Sequence, residues 1–334
     1  MQAEIGGAAV VGSVSELLET AVSRQPFLDH GGFSGSTLER VTLADGRRLV
    51  LKHFSADIDY IMRATRDEGR AAYLYTAGIL GPVANVLDDA ILAVEPEGNG
   101  WVMAMRDVGD ELVDLAVSTS RADSLRVLRA IEPLHRAYLG QQPQGMACLE
   151  DWYAFLTPRI GEQVRRPTVA RSREQWAYLA DRVPPDMGRV LSALADEPKL
   201  LCDELRRYPQ TLIHGELKLE NVGFTAGRVI LIDWALATVA PAEAEFAYYL
   251  LSSAWRIDAS PDQLLEDIRT VRGDDFEPRA MELALIGSMV QRGAILAHNA
   301  AGARPGRDPA RANALLDWMI DRVSRALKEV WSPL

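Results

Sequence analysis

The chain has 334 residues, 48% hydrophobic and 25% charged, with 36 Lys and Arg against 47 Asp and Glu for a formal net charge of −11. That is a globular composition with room for a sizeable core, and at roughly 100–200 residues per domain it predicts two domains or one large two-lobed fold. The acidic excess argues against a nucleic-acid partner and the two cysteines, Cys148 and Cys202, against a disulfide framework; no leader-like N-terminus and no run of ~20 apolar residues for a membrane span is expected, which leaves a cytoplasmic protein.

In chain order, residues 27–35 read as a short strand running into a glycine cluster. Residues 37–43 and 48–54 flank Ala44-Asp45-Gly46, and Asp-Gly between β-rich runs is a hairpin signal. Residues 58–76 have helical periodicity, closed by Gly78. Two more strands, 90–94 and 101–105, are joined by the turn-forming Glu97-Gly98-Asn99-Gly100. Beyond Gly109 the period becomes helical: 122–138, 149–156, 173–182, 187–208, 261–272, 278–299 and 308–331, interrupted by a β segment at 221–224 and 228–232. A β-rich first third and a helical remainder predict an α+β protein of two lobes, residues 1–108 and 109–334, with the seam at 106–110.

The chemistry concentrates in Leu212-Ile213-His214-Gly215-Glu216-Leu217-Lys218-Leu219-Glu220-Asn221, followed by Leu231-Ile232-Asp233-Trp234. An apolar run delivers a turn that displays a carboxylate, a lysine and an amide, and a hairpin then delivers a second carboxylate. Phosphoryl transfer needs such a set: a carboxylate for the attacking hydroxyl, a cation near the transferred phosphate and oxygen ligands for Mg²⁺. Either half alone would be an ordinary polar turn. Both halves in order favour the functional reading.

The run resembles the H-G-D-x-x-x-x-N catalytic loop and the I-D-[WF] metal site of the aminoglycoside phosphotransferase family, small-molecule relatives of the protein kinases. That resemblance implies a protein-kinase-like bilobal fold, with a nucleotide-binding first lobe and a catalytic, acceptor-binding second one. It also implies a kinase that moves the γ-phosphate of ATP, or of GTP, to an alcohol group. Carried over by position, Glu216 becomes the catalytic carboxylate, Lys218 faces the γ-phosphate, and Asn221 and Asp233 hold Mg²⁺. His30-Gly31-Gly32-Phe33-Ser34-Gly35-Ser36-Thr37 is similar to the family's nucleotide-covering loop, in which Gly32 and Gly35 allow close backbone approach and Ser34 adds a hydroxyl. Arg106-Asp107-Val108-Gly109 resembles the hinge whose backbone meets the adenine edge, at Arg106 and Val108.

Two upstream residues can also be read on their own terms. Strand alternation puts Lys52 on the face of Val50 and Phe54, where an ammonium group wants an anion. The chain has four lysines against 32 arginines, and two of the four, Lys52 and Lys218, fall on motif positions. On the helix from Ile58, Glu68 shares a face with Ile61, Thr65 and Ala72 and so points inward as the partner of Lys52; the alternative is an exposed Glu68 pairing with Arg63 or Arg66 along the helix.

Two departures stand against the family pattern: Glu216 replaces the usual Asp, and Glu245, in Pro241-Ala242-Glu243-Ala244-Glu245-Phe246-Ala247, replaces an Asp that braces the catalytic loop. One added methylene displaces the reacting oxygens. The alternatives to a small-molecule kinase are therefore a nucleotide-binding pseudokinase with a regulatory role, or a kinase-like enzyme acting on Ser/Thr of a peptide. His53, His135 and His298 read as structural. The acceptor and the oligomeric state stay open.

Overall fold

The computed structural model describes residues 13–28, 34–225, 227–302 and 308–331. A short helix, α1 (Val14–Leu18), starts on a capping box in which Ser13 and Glu16 satisfy each other's backbone N–H groups. It lies on an antiparallel sheet of order β1-β2-β3-β6-β5, built from β1 (Ala21–Pro26), β2 (Thr37–Leu43), β3 (Arg48–Phe54), β5 (Ile91–Glu97) and β6 (Gly100–Arg106), while β4 (Leu87–Asp88) pairs elsewhere. The hairpin about Asp45-Gly46 falls where the turn signal placed it. The first strand does not: it occupies 21–26, ahead of the expected 27–35. Gly32 lies outside the described residues.

Alternation along β3 gives the sheet two faces. Leu49 and Leu51 join Val14, Leu17, Val41 and Val102 in a core under α1. Phe54 packs on the other face with Met62, Ala72 and Met103. The expected helix over 58–76 is instead two helices, α2 (Tyr60–Ala64) and α3 (Arg70–Thr76). Between them Arg66 adopts a left-handed φ of 50°. Asp67 Oδ1 then accepts the N–H groups of Gly69 at 2.8 Å and Arg70 at 2.6 Å, a side-chain turn that fixes the chain ahead of Gly69, the N-cap of α3, and restarts the helix in a different phase.

The remainder is helical: α4 (Arg121–Ala137), α5 (Leu149–Ala154), α6 (Pro158–Gln163), α7 (Val169–Arg182), α8 (Pro185–Asp196), α9 (Lys199–Leu205), α10 (Ala242–Ser253), α11 (Pro261–Arg272), α12 (Pro278–Ser288), α13 (Ala294–Ala300) and α14 (Pro309–Glu329). The expected helix at 187–208 divides at Pro198. Strands β7 (Thr211–Ile213) and β10 (Thr238–Ala240) pair with each other, and β8 (Val222–Thr225) and β9 (Arg228–Leu231) form a hairpin that β4 joins in parallel through Leu87 and Val229. Every residue of α10 is buried, so it carries no amphipathic stripe and its period was invisible.

One expectation needs correcting. Residues Pro278–Ala300, made of α12, a π-turn at Met289–Gly293 and α13, are long and apolar enough by length and composition to cross a membrane, at mean hydropathy 1.2. Here 83% of the run's 18-residue apolar window is buried inside the helical core, packed with α10 and α14. The α+β class, with an antiparallel N-terminal sheet and a helical C-terminal part, is as the sequence implied.

Candidate active site

Strand β7 carries the buried Leu212 and Ile213 to His214, which is fully buried. Gly215 follows at φ 79°, where a Cβ would stand 2.0 Å from the carbonyl oxygen of Leu236, so only glycine fits. His214 Nε2–H donates to the Ile232 carbonyl at 3.1 Å, and its Nδ1 accepts the N–H of Glu216 at 3.2 Å. Those two roles require one neutral tautomer, and burial lowers the pKa of this imidazole in the same sense. The histidine thus ties the loop to the strand end that carries Asp233.

Glu216 is 6% exposed. Its Oε1 meets the ammonium of Lys218, the hydroxyl of Tyr248 at 3.4 Å and Nη1 of Arg292 at 3.9 Å. Among the described residues Oε2 has one long contact, 3.5 Å to Asn221 Nδ2, and the same amide nitrogen donates to the Glu216 carbonyl at 3.0 Å. Asn221 therefore spends its donor on the loop, and its amide oxygen is left as an acceptor. Asp233, just past β9, sits in the left-handed region at φ 69° and ψ 65°, a strained position of the sort found at functional sites.

Lys52 Nζ donates to Asp233 Oδ1 at 2.9 Å. Burial alone would raise the Asp233 carboxyl, but the Lys52 ammonium outweighs it and holds the group at about 2. Burial likewise pulls Lys52 down, and Asp233 overcomes that to leave it raised. The expected Lys52–Glu68 pair is corrected: Glu68 lies in the break between α2 and α3 and is exposed. The second anion near Lys52 is Asp59, the cap of α2, which accepts Ile61 N–H at 2.8 Å and Ser36 Oγ–H at 2.6 Å. Ser34 holds the same helix start, its carbonyl accepting Tyr60 N–H at 2.8 Å. Gly35, at φ 109°, passes so close that a Cβ would fall 2.0 Å from the Ile58 carbonyl oxygen.

At the seam Arg106 pairs with Asp88 at 2.6 Å and its N–H donates to the Ala90 carbonyl. Val108 closes an apolar patch with Ala90 and Ile230. Lys52, Glu216, Lys218, Asn221 and Asp233 thus come together, with Ser34 and Gly35 over the start of α2.

The model of the phosphotransferase enzyme family (APH) matches residues 28–283. The chain belongs to that family. The phosphotransferase is similar in fold to choline kinase LicA from Streptococcus pneumoniae, at 12% identity and TM-score 0.51 over 94% of this chain and 95% of the other. It also resembles a choline/ethanolamine kinase family protein from Mesorhizobium loti, at 14% identity and TM-score 0.50 over 97% and 94%. A thermostable mutant of the aminoglycoside phosphotransferase APH(4)-Ia matches at 15% identity and TM-score 0.50 over 92% and 96%. No curated protein matches the sequence. Family and fold together make this a kinase-type phosphotransferase.

The loop brace of the phosphotransferase is formed by Glu245, whose Oε2 and Oε1 accept the N–H groups of His214 and Gly215, each at 2.9 Å. Behind it His135 Nε2 meets Glu245 Oε2 at 3.1 Å and Nδ1 lies 3.6 Å from Glu132 Oε2. Sequence reasoning passed over Asp59, Tyr248, Arg292 and this use of His135. A cap signal, Asp before a helical run, was available for Asp59. The other three lie on helices whose facing depends on the tertiary fold.

Proposed function

We propose that this phosphotransferase moves the γ-phosphate of ATP, in the presence of Mg²⁺, to a hydroxyl of a small molecule. The observation that supports the reading best is the pair of carboxylates, Glu216 and Asp233, each held by its own lysine in one cluster. Glu216 orients the acceptor hydroxyl and takes its proton. Lys218 and Lys52 supply positive charge for the phosphates, and the backbone of Ser34 and Gly35 lines their approach. Hard oxygen donors suit Mg²⁺, which needs only one or two protein ligands beside phosphate and water. Asp233 and the Asn221 amide oxygen fit that requirement and would hold the ion, which neutralises phosphate charge when bound. The buried cluster of Ala90, Val108 and Ile230 backs the Arg106–Val108 hinge, and the partly buried Leu112 and Ile232 packed against it suit a nucleobase, adenine or guanine.

The choline, ethanolamine and aminoglycoside named for the similar structures define the first acceptors to test. Thermal shift with ATP·Mg²⁺, then ADP release against these acceptors and a Ser/Thr peptide, distinguishes the alternatives. Release with a small-molecule acceptor supports the reading and names the substrate, and release with the peptide alone overturns it in favour of a peptide kinase. Binding without release on any acceptor favours a pseudokinase, and absence of binding sinks both.

A further inference from the structure

The extra methylene of Glu216 has a structural counterpart on two helical segments outside the catalytic loop. Tyr248 lies one turn beyond Glu245 on α10, so the helix face that braces His214 and Gly215 also presents a phenol to the Glu216 carboxylate. Burial raises the Tyr248 hydroxyl well above the ordinary phenol range, which keeps its proton available for donation. Arg292 Nη1 donates to that hydroxyl at 2.8 Å while standing 3.9 Å from Glu216 Oε1, and its guanidinium lies over the Tyr248 ring at 5.2 Å.

Arg292 occupies this place because the long core run widens into a π-turn at Met289–Gly293. Such insertions recur at functional sites, since a widened turn re-aims side chains. The turn is fastened to the loop by a second route: Gln291 donates to the Trp152 carbonyl, and the Trp152 indole N–H donates to the Gly215 carbonyl at 2.7 Å. Loop, α10 and π-turn therefore form a closed ring of contacts around Glu216. All three cationic or hydroxyl donors, Lys218, Tyr248 and Arg292, converge on Oε1.

We propose that Tyr248 and Arg292 are positioning residues that clamp Oε1 of Glu216, leaving Oε2 to take the acceptor's proton and fitting this site to glutamate in place of aspartate. The inference rests on the phosphotransfer reading above. A shorter carboxylate at 216 withdraws from both partners, so the clamp serves only the longer side chain.

The test is a double-mutant cycle read by ADP formation from ATP·Mg²⁺, with water and the acceptors named above. Arg292→Met is expected to lower kcat about tenfold, the scale of a misplaced reacting group, with KM for ATP within about twofold. Tyr248→Phe, which removes a single hydroxyl, gives a smaller loss of the same kind, and Arg292→Lys recovers part of the loss. In a Glu216→Asp background, itself slower, Arg292→Met is expected to cost less than about twofold, because coupled positions are not additive. Urea midpoints report folding for each variant. Equal losses in the two backgrounds, or full kcat in Arg292→Met, overturn the clamp. ATP binding with no ADP from the unaltered protein overturns the transfer reading, and the positioning role with it.

Discussion

Lys52 and Asp233 are 181 positions apart, yet they form the ion pair at the centre of the site. Asp233 is held below its ordinary value, so its contribution to stability is present above about pH 3.9 and is lost only as pH falls through about 2. The pair therefore contributes across the usable pH range. Lys52→Met removes the cation and leaves burial to push Asp233 up. The variant should then be more destabilised at pH 7 than at pH 4, by about 1 kcal/mol once the 36% exposure of the Asp233 side chain is discounted. Urea midpoints at the two pH values measure this, and equal destabilisation at both would refute the pairing. Glu68→Ala is expected to leave the ATP thermal shift unchanged, and an altered shift would restore Glu68 to the site. At this scale the sequence was most legible where chemistry is local. Glu216, Lys218 and Asn221 lie within six residues, and Asp233 follows one hairpin later. Glu68 was misread because its inward phase assumed a continuous helix through Arg66, whose left-handed backbone ends it.

The element that organises the loop is α10, which sequence periodicity could not reveal because it is buried all round. Its Glu245 holds two loop N–H groups on one side and His135 on the other. His135 faces Glu245 from α10 and Glu132 from its own helix, and Arg272 of α11 reaches Glu132 at 2.9 Å. Burial would lower the imidazole, but the neighbouring Glu132 and Glu245 carboxylates outweigh that and raise it. Burial would raise Glu245, and His135 outweighs that to lower it. The signs differ on the two sides. Stability from His135 is complete below about pH 6.5 and lost as pH rises through its raised value, whereas that from Glu245 is present above about pH 4.3 and lost as pH falls through its lowered value. The brace is thus fully assembled between about pH 4.3 and 6.5. Glu132 keeps Arg272 and Arg136, but His135→Asn takes the cation from the buried Glu245, which typically costs about 3–5 kcal/mol. It should also abolish the alkaline fall in stability followed by urea unfolding. A variant that keeps that fall would show that another group titrates there.

Across the whole molecule the change of period near residue 109 made the sheet-then-helices order legible, but not how unevenly the two parts are buried. A two-residue strand such as β4, paired with β9 through Leu87 and Val229, has no period to read, so its place beside the later hairpin was invisible. The sheet has its own small core under α1, whereas one cluster runs through the helical part from Tyr60 to Trp331 and includes much of the Pro278–Ala300 run. Helices α2 and α3 are fastened to the helical part, through Arg63 to the Val164 carbonyl at 3.0 Å and Arg70 to the Gly145 carbonyl at 3.0 Å. Strand β1, at the sheet edge, is mostly exposed, with Val22 at 65%. Opening free energy follows buried apolar contact, so β1 and β2 should exchange their amides through a sub-global opening several kcal/mol below that of α10 and α12. Lys52 on β3 and Asp233 beyond β9 bridge the two parts at the proposed nucleotide site, so ATP·Mg²⁺ should slow exchange in β3 and β9 while leaving α14 unchanged. Native-state hydrogen exchange with and without ATP·Mg²⁺ checks both statements. A single opening free energy shared by sheet and helices would show one cooperative core, and the bridge would then have no separate parts to join.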